Sequence, residues 1–140
     1  MGPNRFLVMM MIVCCLASCR GMSGPDPLAG TSWALISSEN RLTLNGRPIT
    51  LRFEHGGVQG SSGCNSFGGD YRLSGKRIVI ENLFSTMMAC PEPEGIMEQE
   101  QHYLYLLGEV DSYSIVGDNL QLFASRSELL TFKLVELREQ

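Results

Sequence analysis

The sequence predicts an α+β, mainly β fold: antiparallel strands in a curled sheet or barrel-like roll with one packed α-helix. Three observations predict it. Short β-type runs recur between turn residues, and Ile49-Thr50-Leu51-Arg52-Phe53 alternates strictly. Only one stretch, Ile96 to Leu107, carries apolar residues at helical spacing.

The N-terminal segment stands apart from that fold. Arg5 supplies a short positive region, Phe6 to Leu16 an apolar core, and Ala17-Ser18 the small residues of a cleavage site. A membrane-spanning helix needs roughly 20 apolar residues, more than this run offers. Leu16-Ala17-Ser18-Cys19 resembles the lipobox of bacterial lipoproteins. That resemblance implies cleavage before Cys19, diacylglycerol on its sulfur and a third acyl chain, such as palmitate, on its amine. Several buried chains anchor stably, each methylene contributing about 0.8 kcal/mol. Arg20, where lipoproteins retained in the inner membrane tend to carry Asp, directs the expectation to the outer membrane, facing the periplasm. Residues 1–18 are thus expected to be a signal peptide, and 19–28 a lipidated cysteine and a flexible tether rich in Gly and Pro. A domain over 29–136 and a tail over 137–140 complete the chain.

Of the eleven basic residues only Arg5 precedes Cys19, which leaves ten against fifteen acidic residues in the mature part. This balance argues against nucleic acid and against a basic membrane-surface patch. Of five cysteines, Cys14 and Cys15 leave with the signal and Cys19 is lipidated. Cys64 and Cys90 remain, enough for one disulfide in an oxidising compartment. Two reduced thiols, or redox or metal chemistry, are the alternatives. Redox pairs usually show Cys-x-x-Cys spacing, and a zinc site needs four ligands, whereas His55 and His102 are the only histidines. No metal and no cofactor is expected.

Within the domain, Trp33 to Ile36 opens the strand series. Ile49 to Phe53 follows, flanked by turns at Asn45-Gly46 and Gly56-Gly57. Val58 to Ser61, Tyr71 to Leu73 and Ile78 to Ile80 continue it, with Ser74-Gly75-Lys76 as a tight connection. Pro93 and Glu94 suit a helix start and Gly108 its C′ position. Glu92, Glu94 and Glu98 suit the positive end of its dipole. Ile96, Met97, Tyr103, Leu104 and Leu107 form the inward stripe, with Glu98, Gln99, Gln101 and Tyr105 outward. Tyr113 to Val116, a turn at Gly117-Asp118-Asn119, Leu120 to Phe123 and Leu129 to Val135 close the series.

Gly60 to Tyr71, with Gly63-Cys64-Asn65 followed by Gly69 and Tyr71, is one of two conspicuous motifs. Thr86-Met87-Met88-Ala89-Cys90 is the other. Together with Trp33, Leu35, the helix, Leu120, Leu122, Leu130 and Phe132, they resemble the META domain, the family of the bacterial heat-shock protein HslJ. The resemblance runs from about Leu28 to Leu134. It implies a compact antiparallel domain with one helix, and envelope lipoproteins linked to heat shock, novobiocin tolerance, or motility and virulence. It marks Gly63, Cys64, Asn65, Gly69, Tyr71, Thr86, Met88, Ala89 and Cys90 as motif residues and supplies no catalytic residue.

Read from the residues, Gly60, Gly63, Gly68 and Gly69 suit a strand bending into a turn, where positive φ or close backbone approach is needed. Asn65 can bond nearby backbone, Phe67 and Tyr71 can pack inward, and Cys64 can pin the bend to Cys90. An anion-binding nest is the functional alternative, but no Gly-Lys-Ser/Thr follows in phosphate-loop spacing. There is no Gly-x-Ser-x-Gly elbow and no His-Glu-x-x-His. His55 falls in a turn and His102 on the border of the helix stripe. Glu92 and Glu94, or Glu98 and Glu100, read as solvated charge. The expectation is a monomeric, non-enzymatic, lipid-anchored envelope protein that binds or stabilises envelope components under stress, touching the membrane through its lipid and an unidentified envelope protein or ligand through its domain. The alternative is a periplasmic enzyme inhibitor of the lysozyme-inhibitor type.

Overall fold

The computed structural model describes residues 24–39, 41–42 and 47–135. The signal region, Cys19 and the Asn45-Gly46 turn lie outside the described residues. Among the described residues there are nine strands: β1 (Ser32–Ser38), β2 (Arg41–Leu42), β3 (Thr50–Glu54), β4 (Gly57–Ser61), β5 (Ser66–Ser74), β6 (Arg77–Ser85), β7 (Ser112–Val116), β8 (Asn119–Ala124) and β9 (Ser127–Leu134). A single helix, α1 (Ile96–Glu109), separates β6 from β7.

The expected antiparallel roll is what forms. The strand order β1-β3-β4-β5-β6-β7-β8-β9 returns to β1, so eight strands close a ring and β2 pairs only with the end of β1. Closure removes the open edges that expose backbone groups. The weakest seam is between β6 and β7, whose ladder contains one residue pair, Arg77 with Ser112. Helix α1 packs against β6 and β9, which are not neighbours, and so lies across the opening of the roll.

Alternation decides the core. Ile49, Leu51 and Phe53 are all buried, and Trp33, Val58, Phe67, Tyr71, Ile78, Ile80, Leu120, Leu122, Leu130 and Phe132 complete the inward layer. Tyr103 from the helix enters this layer, edge-on to Phe67 and to Phe132 with ring centroids 5.6 and 6.5 Å apart.

Two expectations about element limits are corrected. The helix starts at Ile96, not at Pro93, because Gly95 is left-handed at φ 85° and cannot continue a right-handed helix backwards. It runs through Gly108 to Glu109 and ends where Val110 turns extended and buries its side chain. The glycine-rich stretch is also less of a bend than expected, since Ser66 to Asp70 is already strand. Among its glycines only Gly63 has a positive φ, 113°. The others permit close approach: a Cβ on Gly68 would meet the Phe84 ring at 2.6 Å, and one on Gly60 would meet the Thr50 carbonyl oxygen at 2.0 Å.

Residues 26–28, expected to belong to a flexible tether, are instead part of the roll. Asp26 accepts from the backbone N–H groups of Leu28 and Ala29 and from the Tyr71 hydroxyl at 2.5 Å, and Leu28 is fully buried. Burial, then the Asp26 carboxylate, push the Tyr71 hydroxyl well above its ordinary pKa, so it stays a donor. The chain therefore joins the roll at the end that carries the β3–β4, β5–β6 and β7–β8 turns, called here the lower end. The β4–β5 loop, the exit from β6, the β8–β9 turn and the last residues of β1 form the upper end.

The glycine geometry yields a paired prediction. Gly60→Ala must push β3 from β4 and is expected to lose at least ~2 kcal/mol. Gly57→Ala, whose Cβ would find its nearest atom at 3.7 Å, is expected to stay within ~0.5 kcal/mol of wild type. Urea midpoints at unchanged slope check both.

Candidate functional site

The upper end is organised by one buried carboxylate. Glu100 is 4% exposed and sits on the inward face of α1. Its Oε2 accepts the Ser62 hydroxyl at 2.6 Å and the Asn65 backbone N–H at 2.7 Å, while Oε1 accepts Asn65 Nδ2 at 2.6 Å. Burial pushes the carboxyl pKa up. The hydrogen bonds from Ser62, Asn65 and the backbone of Asn65 and Cys64 outweigh it, and the net shift is downward. Glu100 is therefore held as a carboxylate, against the expectation of a solvated charge.

Asn65 connects this carboxylate to the second motif. Its Oδ1 accepts the Met88 backbone N–H at 2.7 Å and the Thr86 hydroxyl at 2.8 Å, and its Nδ2 also reaches the Met88 carbonyl at 3.2 Å. Both peptide groups of Met88 are thus gripped by one amide. Thr86 adds a backbone N–H to the Ser66 carbonyl at 3.0 Å and receives the Ser66 N–H on its hydroxyl at 3.2 Å. Cys64 and Cys90 are joined as a disulfide with Cα atoms 5.9 Å apart. It closes the same loop that Asn65 grips.

The sequence-marked residues divide into two groups. Gly63, Cys64, Asn65, Thr86, Met88 and Cys90 converge at the upper end. Gly63 is packed against Ile96 of the helix, where a Cβ would approach its Cδ1 to 3.0 Å, and Ala89 lies exposed in the same loop. Gly69 and Tyr71 lie further down β5 and serve the barrel: a Cβ on Gly69 would crowd Leu83 and the Glu81 carbonyl, and Tyr71 stacks edge-on to Phe53 at 5.0 Å.

Sequence reasoning missed Ser62 and Glu100. The signal for Glu100 was present, because it falls four residues after Ile96 and three before Tyr103, on the apolar stripe itself. Ser62, fully buried, carries no comparable pattern. His55 is exposed in the β3–β4 turn, and His102 is half-exposed on α1 with Nε2 2.9 Å from Glu39 Oε2. Neither touches the Glu100 cluster. A depression of about 440 Å³ beside Trp33, Arg52, Gln59 and Gly60 lies apart from the cluster. So does one of about 820 Å³ between Pro25, Asp26, Arg72 and Lys76. Among the described residues no three of His, Cys, Asp and Glu gather as a metal site, and no helix is long and apolar enough to cross a membrane.

What the arrangement does chemically is brace. A general acid or base needs an accessible group with a pKa near the working pH. Glu100 is enclosed, ionised and saturated with donors, and Asn65 spends its amide on Glu100, Thr86 and Met88.

Two predictions follow from this geometry. Glu100→Gln places an amide N–H₂ among donors and is expected to cost ~2–3 kcal/mol at neutral pH. Because the folded pKa is below the ordinary value of about 4.3, the carboxylate's contribution is fully present above that value and lost as pH falls through the folded pKa. The stability gap between wild type and Glu100→Gln should therefore narrow progressively below about pH 4.3, measured by urea unfolding across a pH series. Cys64→Ser with Cys90→Ser removes a bridge between residues 26 apart. The loss of loop-closure constraint is expected to cost ~3.5 kcal/mol, read from the same unfolding curves.

Comparison with known proteins agrees with this architecture. The META domain family model matches residues 26–136. An NMR structure of a protein from Burkholderia xenovorans is 28% identical, with a TM-score of 0.65 over 81% of this chain and 93% of that one. A second protein solved by NMR is 25% identical, with a TM-score of 0.66 over 84% of this chain and 100% of its own. A crystal structure of a DUF4847 family protein from Bacteroides vulgatus shares the fold at 12% identity, with a TM-score of 0.56 over 76% of this chain and 94% of that one. No curated protein matches the chain. With the family match spanning nearly all of the described roll, including Asp26, the disulfide loop and the helix, the chain belongs to the META domain family.

Proposed function

We propose that this META-domain chain is a lipid-anchored, non-enzymatic protein of the bacterial envelope that binds or stabilises other envelope components under heat or antibiotic stress. The observation that carries the reading is the bracing of the 86–90 loop. Its backbone is fixed by Asn65 and the disulfide, yet Met87 is 97% exposed and Met88 56% exposed. Ordering an apolar loop in solvent costs conformational entropy and returns nothing until a partner covers it. A pre-ordered loop of this kind lowers the cost of association.

Two further features support the envelope placement. Leu16 to Cys19 carries the lipobox pattern, and a disulfide suits an oxidising compartment. With an anchor at Cys19, the chain would enter at the lower end and the braced loop would face away from the bilayer.

The test is survival of a deletion strain under heat and novobiocin, rescued with wild type, Cys19→Ala or Cys64→Ser. The reading expects full rescue by wild type only. Loss of Cys19 should release the protein from the membrane fraction, and loss of Cys64 should loosen the loop. Rescue by all three, or no phenotype under either stress, would contradict it.

A further inference from the structure

We propose that the upper end docks a cationic, partly apolar polypeptide segment, with Met87 and Met88 as the apolar contact and Glu92, Glu94 and Glu98 as its acidic rim. This rests on the binding role proposed above and adds the chemistry of the partner.

The apolar half of the argument is the loop itself. Methionine is flexible and polarisable, and adapts to irregular partner surfaces. Phe84, just before the loop, is also 69% exposed, its ring lying over Gly68. These side chains project from a backbone tied at Thr86, Met88 and Cys90, so the free protein already holds the presenting conformation.

Charge selects among apolar partners. Glu92, Glu94 and Glu98 are exposed and lie between the loop and the second turn of α1. From Ile78 to Ser125 the chain contains no Lys or Arg. The upper end also carries Arg47, which approaches the Cys90 sulfur at 3.6 Å, Arg41 on β2 and Arg126 on the β8–β9 turn, but the stretch that joins the loop to α1 carries carboxylates and no cation. At the lower end the charges are mixed: Arg72, Lys76 and Arg77 are exposed around the β5–β6 turn, but Arg72 pairs with Glu81 at 2.6 Å, and Glu54 and Asp118 occupy the neighbouring turns. An anionic bilayer or an acidic peptide would be repelled from the loop, whereas a segment that alternates Lys or Arg with apolar residues matches both parts.

The experiment uses the full-length protein in phosphatidylcholine nanodiscs, with empty nanodiscs as the blank. The probes are a labelled peptide of alternating lysine and leucine and its glutamate–leucine counterpart, followed by fluorescence anisotropy. The lysine peptide is expected to bind about tenfold or more tightly than the glutamate peptide, and to weaken as salt rises. Met87→Asn is expected to weaken it several-fold. The triple change Glu92→Gln, Glu94→Gln, Glu98→Gln should flatten the salt dependence. All four side chains are solvent-facing, so unchanged thermal midpoints confirm that folding is intact. Equal binding of the two peptides, or unaltered affinity in Met87→Asn, overturns the proposal. The deletion strain separates the two readings. If Met87→Asn fails to rescue although the lysine peptide shows no preference, the binding role stands and the partner chemistry falls. Full rescue by Met87→Asn with no peptide preference removes both.

Discussion

A carboxylate taken out of water must be met by donors or it loses its charge, and Glu100 is the place where this protein accepts that constraint. Burial alone would favour the neutral acid. Three short hydrogen bonds from Ser62 and Asn65 reverse the outcome, and they come from the loop whose Gly63 also packs against Ile96 at the start of the helix. The carboxylate thus fixes the position of α1 over the opening of the roll. It also fixes Asn65, whose amide in turn sets the path of the chain at Met88. Helix, β4–β5 loop and the exit from β6 become one unit through a few polar atoms.

The rest of the molecule supplies a rigid frame for that unit. Eight strands closed in a ring leave one thin seam, between β6 and β7, and the helix lies across the opening of the same roll. Glycines at 60 and 68 let backbone and the Phe84 ring come closer than any side chain would allow. The attachment of the chain through Asp26 and Tyr71 is at the far end of the roll from Glu100. The proposed anchorage and the braced loop therefore lie at opposite ends of the barrel, an arrangement that would leave the loop unhindered by the proposed point of attachment.

Much of this was legible in the sequence, and the failures have physical causes. Ile49, Leu51 and Phe53 announced a half-buried strand because period-two burial leaves no ambiguity over five residues. The Gly75-Lys76 and Gly117-Asp118 turns were readable from residues that favour tight connections. Ser66 to Asp70 was hidden because glycine signals a bend and a close approach equally well, and only the Phe84 ring over Gly68 shows which applies. The helix start was hidden because Pro93 and Glu94 are good first-turn residues, while the left-handed Gly95 that delays the helix has no distinct mark. Glu100 was in view on the apolar stripe, but charged residues on helices are so often solvated that its phase was overlooked. Its donors lie more than thirty residues away, and a pairing of that separation leaves no local pattern.

The central claim is that Glu100 and Asn65 act as one coupled brace, and a double-mutant cycle with Asn65→Ala, Glu100→Gln and the combined variant tests it most directly. Unfolding free energies of the four proteins at neutral pH should give a coupling energy of ~1.5–3 kcal/mol, because either change alone already releases the shared hydrogen bonds. Losses that add within ~0.5 kcal/mol would mean the two side chains contribute independently, and the upper end would have to be held together by the disulfide and apolar packing instead.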